Sequence, residues 1–400
     1  MRKGDMVVFH FSGVVVCQNN VLISFPKGYV LPREEDERNQ HIRVFLQALI
    51  RYSREGELEP YQMELFGGED GERESFEAAF WLLDDYIQHG SLSVQKQQNA
   101  IVPMGGAKHI HWAKTLQTIP PLISNGQVFY ANVVNRYATK DLQNEIVRIY
   151  RHVIGYCMEN YGWLLGFEYE EGLFAEKELP FEKEYVLQLV DLAAQKTFVD
   201  RERQIYRCIK RILRGSGEKF LSEKKYFTFC TLYFYHVWER MCRFVLADDL
   251  MEELHLPRPY WKVRDRVSYT RQIPDILFRG RDNEIYIADA KYYQTKDAPK
   301  GLPGWGDLVK QFFYLYTLQN EMKNIVIYNL FIFPSRTEKI VDYMGYATVD
   351  GDDVFGRVEG FWFDLYEVMK LYAFNQKGNI KERLVQMHQQ CCCHENGIGE

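Results

Sequence analysis

The chain is 400 residues long, with 46% hydrophobic and 26% charged residues and a formal net charge of −6. That balance excludes a disordered polymer and a uniformly basic nucleic-acid binder, though not a local basic groove, and the length predicts two or three domains rather than one core. No run of eighteen apolar residues exists to cross a membrane, and the eight cysteines contain no CxxC pair, which points to a reducing, cytoplasmic setting and away from a disulfide framework or zinc site.

The opening MRKGDMVVFHFSGVVVC resembles a signal sequence, but Asp5 and His10 interrupt it and no small-residue cleavage site follows, so it reads as strand. Residues 6–16 and 21–25 are short and β-branched, and Asn19 and Asn20 between them signal a hairpin. FPKGY (25–29) ends the second strand. Helical periodicity spans about 38–53 and 75–88, and the acidic EDGERE between them reads as a solvated loop. Residues 100–135, with Pro103, Gly105, Gly106, Pro120 and Pro121, read as loop and short strand, with one strand at 127–134. His109 and His111 in HIH read as structural histidines rather than metal ligands.

A helix is expected over about 139–160, and a boundary near 170 in FEYEEG. A long helix over about 184–214 sets Ile205, Ile209, Ile212 and Leu213 on one face. Arg207, Lys210, Arg211 and Arg214 form a second, basic stripe; a solvated face and a contact to DNA phosphates or an acidic partner both fit it. A helix over about 225–253 is apolar nearly all round, interrupted by Glu239, and should be buried. The tail HQQCCCHENGIGE reads as a frayed terminus, with a chance metal-binding tail as the alternative.

The segment IPDILFRGRDNEIYIADAKYYQ carries the chemistry. Apolar residues 276–278 and 285–288 flank a polar turn containing Gly280 and Asn283, the pattern of a β-hairpin. Residues two apart in a strand share a face, so Asp289 and Lys291 project together, and the turn can bring Asp275 level with Asp289. Charges in apolar strands are costly unless paired or metal-bound. Two carboxylates beside a lysine suit a hard divalent cation such as Mg²⁺, which prefers oxygen ligands. The cation would activate water and neutralise a phosphodiester, while Lys291 positions or helps deprotonate that water and stabilises the developing charge. A helix over about 306–320 containing Gln311 and a strand over 324–334 follow. The plain structural alternatives are an ion pair for Asp275, Asp289 and Lys291, pairing of Glu239 with Arg240 or Arg243, and a helix-surface glutamine at Gln311.

This arrangement resembles the PD-(D/E)XK nuclease superfamily: Pro274-Asp275 matches the first acid, Asp289-Ala290-Lys291 the D-x-K, Glu239 the helical glutamate ahead of the sheet, and Gln311 the glutamine of the following helix in the RecB-like branch. Leu315 stands where that branch has the tyrosine of Q-x-x-x-Y, with Tyr314 and Tyr316 on either side. Together with FSGVVV…ISFPKGY, HIHWAKT and YHVWERMCRFVL, the chain is similar to the LlaJI family of restriction endonucleases, related to McrC.

The resemblance implies an α/β (mixed α+β) fold with a PD-(D/E)XK core, its central mixed sheet flanked by helices. The expected segments are an N-terminal α+β domain over 1–170 for partner docking or DNA recognition, a helical connector over 171–225, a nuclease domain over 226–376 and a tail over 377–400. It implies a Mg²⁺-dependent endonuclease acting on double-stranded DNA in phage defence, with Asp275, Asp289 and Glu239 as metal ligands, alongside an AAA+ GTPase resembling McrB. The alternative is a non-cutting scaffold that binds DNA or a partner. No G-x-x-x-x-G-K-[ST] occurs, so nucleotide hydrolysis belongs to another chain.

Overall fold

Strand β1 (Ser12–Cys17) lies between β2 (Asn20–Ser24) and β3 (Phe227–Thr231), antiparallel to both. A hairpin near the N-terminus is thus completed by a segment from the second half of the chain. The computed structural model describes residues 2–3, 6–7, 9–17, 20–55, 58, 62, 65–66, 70–165, 178–215, 227–250, 260–269, 274–281, 283–295, 301–322, 324–336 and 339–395. They form two compact units, one of Met1–Glu69 with Leu221–Glu400 and one of Asp70–Phe220. The expected boundary in FEYEEG lies outside the described residues.

In the first unit, helix α1 (Glu35–Glu55) buries Val44, Phe45, Ala48 and Leu49. Near its end Arg51 is held between the rings of Phe244 and Tyr372, with its guanidinium donating to the Tyr372 carbonyl and to Glu55. The helix expected over 225–253 is instead β3 followed by α2 (Phe234–Leu246). FTFCT is aromatic and β-branched, and pairing with β1 outweighs its place in an apolar run. The rest of α2 behaves as expected, burying Phe234, Val237, Trp238, Met241, Cys242 and Val245.

A two-stranded ribbon, β4 (Tyr260–Val263) and β5 (Arg266–Tyr269), precedes the main sheet. That sheet takes β6 (Ile276–Arg279), β7 (Glu284–Ala290), β8 (Val326–Ser335), β9 (Val341–Ala347) and β10 (Val358–Asp364) in the order β6-β7-β8-β10-β9. β7, β8 and β10 are mutually parallel and the two edges antiparallel. The turn into β7 is tight at Gly280, where a Cβ would come within 2.5 Å of the Tyr286 ring. The central strands read as nearly continuous apolar runs because both faces are covered.

On one face α3 (Trp305–Glu321) packs Tyr314 and Leu318 onto Leu277, Ile285, Ile287 and Ile327. Each of those aliphatic side chains contributes about 1.5–3 kcal/mol by leaving water. On the other face Phe278 stacks on Tyr286 at 4.9 Å, and Tyr286 and Tyr328 enclose His388. After α4 (Leu365–Ala373), His388 is buried on α5 (Ile380–Glu395), so the start of the expected frayed tail is a packed helix, while residues 396–400 lie outside the described residues. Burial lowers the His388 pKa to about 4, leaving a neutral ring bonded to the Tyr286 hydroxyl at 3.1 Å.

The second unit is built on helices Asp70–His89, Glu145–Tyr161, Lys183–Lys196 and Asp200–Gly215, with a long ladder pairing Gln95–Pro103 with Asn132–Lys140. The first helix starts at Asp70, so most of EDGERE is helical rather than loop. The helix expected over 184–214 breaks at Thr197, whose hydroxyl binds Glu202 and the Val199 N–H and whose backbone is extended. Ile205, Ile209, Ile212 and Leu213 are buried as one face. In the basic stripe Lys210 pairs with Asp191 of the preceding helix, a structural use, while Arg207 and Arg214 are exposed. Asp85 accepts a two-pronged bond from Arg201 at 2.8 and 2.9 Å.

Candidate active site

β6 and β7 pair with Ile276 opposite Ala288. Carried one residue outward, that register sets Asp275 opposite Asp289. The Asp289 side chain is 1% exposed, at the C-terminal end of its strand. Lys291 continues the ladder, its N–H donating to the Ile332 carbonyl at 2.9 Å, and projects with Asp289. Its Nζ lies 3.0 Å from Asp289 Oδ2 and 2.9 Å from Asp307 Oδ1.

Asp307 comes from the first turn of α3, and the next turn of that helix adds Lys310. Lys310 Nζ stands 3.8 Å from Asp289 Oδ2 and 3.9 Å from Asp275 Oδ1. Gln311 is buried, with no hydrogen-bond partner for Oε1 among the described residues, while its carbonyl accepts from Asn329 at 3.0 Å. It is therefore not a surface glutamine. One turn on, Tyr314 is buried with an unpartnered hydroxyl among the described residues.

The electrostatics identify a crowded anionic site. Burial, then the charge of Asp289, raises the pKa of Asp275 to about 7. Burial, then Asp275 and Asp289, raises Tyr314 to about 12. Glu239 is raised by burial and then by Asp289, which brings it into the same field from α2. Its side chain is 39% exposed, with His236 Nδ1 3.6 Å away, while Arg240 binds Glu55. Burial alone would lower Lys291, but Asp307 and Asp289 outweigh it and hold the ammonium protonated.

Beyond the lysine contacts, neither carboxylate oxygen of Asp289 accepts a hydrogen bond among the described residues. Four carboxylates face two ammonium groups, an excess that a divalent cation would match. Asp275 and Asp289 are the pair suited to hold it. Among the described residues no group of three His, Cys, Asp or Glu side chains is placed to hold a metal ion.

Sequence reasoning placed Asp275, Asp289, Lys291, Glu239 and Gln311 in one neighbourhood but missed Asp307, Lys310 and Tyr314. Their signal was the spacing 307, 310, 311, 314, one polar face of a helix otherwise scored for its apolar residues. His109 and His111 lie elsewhere; His111 caps a short helix by accepting from Lys114 N at 3.4 Å. Ahead of the site in sequence, the β4–β5 ribbon exposes Tyr260, Trp261, Val263, Val267 and Tyr269 among Lys262, Arg264 and Arg266.

A family model described as LlaJI restriction endonuclease matches residues 11–356, a span that contains every residue of this site. The chain is also 26% identical over 386 residues to the Type II restriction enzyme BsuMI component YdjA of Bacillus subtilis (strain 168), covering 92% of this chain and 79% of that protein.

Proposed function

The chain belongs to the LlaJI restriction endonuclease family, and on that premise we propose that it is the subunit that hydrolyses phosphodiester bonds of double-stranded DNA in a restriction system of the cytoplasm, using Mg²⁺, in defence against phage. The observation that carries this reading is the pair Asp275 and Asp289, opposed on adjacent strands, with the Asp289 oxygens buried and, beyond the lysine contacts, accepting no hydrogen bond among the described residues. A scaffold gains nothing from that pair, because uncompensated buried carboxylates are destabilising. The order α2, β6, β7, α3, β8 supports a PD-(D/E)XK core.

Asp275 and Asp289 would hold the cation, and Glu239 would add negative charge from α2. The cation, when bound, supplies a lowered water pKa and neutralises charge on the scissile phosphate. Lys291 is held by Asp289 and Asp307 with its ammonium at the site, oriented to align the attacking water and to stabilise negative charge as it develops. Lys310 offsets the charge of both aspartates. The β4–β5 ribbon offers exposed cations and aromatic rings to phosphates and bases.

A partner also belongs to this reading. The relative in Bacillus subtilis is named a component, and the resemblance to McrC-like chains points to an AAA+ GTPase resembling McrB. The second unit exposes Ile101, Leu116, Leu122, Ile123, Val128 and Phe129, a surface suited to such a contact. Residues 1–69, by contrast, build the unit that carries the acidic site. The test incubates the purified chain with plasmid DNA, with and without the neighbouring genes' products and GTP, in Mg²⁺ and in EDTA. Cleavage in Mg²⁺ that EDTA abolishes is expected; cleavage unchanged by EDTA contradicts the metal assignment.

A further inference from the structure

The turn in FPKGY has no part in the acidic site, yet it is built with care. Tyr29 N–H donates to the Pro26 carbonyl at 3.0 Å, and Gly28 has φ +84, as the third position of a type II turn requires. A Cβ on Gly28 would come within 1.8 Å of the Gln294 amide nitrogen, so the turn is seated against the chain that leaves β7. The Lys27 carbonyl accepts from the Tyr292 hydroxyl at 3.0 Å, one residue beyond Lys291.

The turn forms one wall of a cleft of about 780 Å³. Tyr29, His41 of α1 and Tyr366 of α4 give it an aromatic wall: His41 and Tyr366 stack at 3.8 Å and 8°, and the Tyr29 hydroxyl bonds His41 Nδ1 at 2.7 Å. Lys27, Arg336 and Lys339 bring positive charge to its rim. Glu37 and Glu367 also line it, acceptors suited to the amino groups of a base. Asp364 is committed to capping α4, accepting from Glu367 N at 2.9 Å. The cleft opens at the C-terminal ends of β7, β8 and β10, the sheet edge that carries Asp289 and Lys291. Ligands of such sheets sit outside the carboxyl ends of the parallel strands.

We propose that this cleft is a nucleotide site: a base against the aromatic wall of Tyr29, His41 and Tyr366, and a phosphate toward Lys27, Arg336 and Lys339. As an unpaired nucleotide of the strand being cut, the occupant rests on the nuclease reading above; as a free nucleotide, it does not.

The test uses a single-stranded hexanucleotide with one central 2-aminopurine, whose fluorescence is quenched by stacking, titrated with the full chain in EDTA so that nothing is cut. The wild type quenches it. Tyr366→Ala and Lys27→Ala weaken binding about ten- to a hundredfold, while Tyr366→Phe binds as the wild type. Both positions are at the surface or half-buried, and circular dichroism checks that the variants fold. Displacement by micromolar GTP or dAMP marks a free nucleotide as the occupant, and binding without such displacement marks the DNA strand; either supports the site. Absence of quenching with the wild type, or equal quenching with Tyr366→Ala, overturns it. Quenching retained by an Asp289→Ala variant that does not cut separates this cleft from the acidic site. Quenching by a wild type that never cuts DNA refutes the nuclease reading and leaves the cleft standing.

Discussion

Replacing Asp275 by Asn should stabilise the metal-free protein at alkaline pH while removing a proposed metal ligand. In the folded chain burial and Asp289 raise the Asp275 pKa from 3.8 to about 7, with Lys310 opposing and Glu239 adding to the effect. The folded state therefore holds a proton that the unfolded chain has lost between about pH 4 and pH 7. Stability contributed by that proton is present below the unfolded value and is lost as pH rises through the folded one. The full displacement corresponds to roughly 4 kcal/mol, but the side chain is 32% exposed, and solvent screening reduces it to about 1–2 kcal/mol. Asn keeps the shape without the charge. Calorimetric melting in EDTA should show Asp275→Asn level with the wild type at pH 5 and more stable at pH 8, by about 2–4 °C for each kcal/mol. Saturating Mg²⁺ should raise the wild type at pH 8 and leave the variant unmoved. A variant less stable than the wild type at pH 8 in EDTA would refute the reasoning, because it would mean that Lys310 and Lys291 already satisfy the pair.

Lys291→Ala should lose orders of magnitude in single-turnover cleavage with nearly normal calorimetric Mg²⁺ affinity; an equal loss of affinity would mark the lysine as a structural partner of Asp289. Asp307→Asn frees one side of the Lys291 ammonium, so the rate should fall about ten- to a hundredfold, with little change in Mg²⁺ affinity; an unchanged rate would show that Asp289 alone orients the lysine. Glu239→Gln should lower activity with a melting temperature close to the wild type, since the side chain is only partly buried; full activity with a large drop in melting temperature would make it purely structural.

The site was legible because a short polar turn dictates register: once 276–278 and 285–288 are strands, Asp275 must come level with Asp289. Strand β8 and helix α3 were legible from continuous apolar runs and from length. The strand Phe227–Thr231 was not, because its partner β1 lies far away in sequence and local periodicity continues into α2. For the same reason nothing local told that residues 1–69 join the C-terminal half. The break at Thr197 depends on one hydroxyl finding Glu202. Asp307 and Lys310 escaped notice because a helix read for its buried apolar stripe hides a polar stripe that faces a site.

The most direct test of the account is DNA cleavage by Asp289→Asn, measured under single-turnover conditions in Mg²⁺ with the partner products present. Asn preserves the shape of a side chain that is almost fully buried and removes the charge on which the proposed metal ligation depends. The account predicts that cutting is abolished while DNA binding and the melting temperature in EDTA are retained or improved. Undiminished cutting by this variant would contradict it.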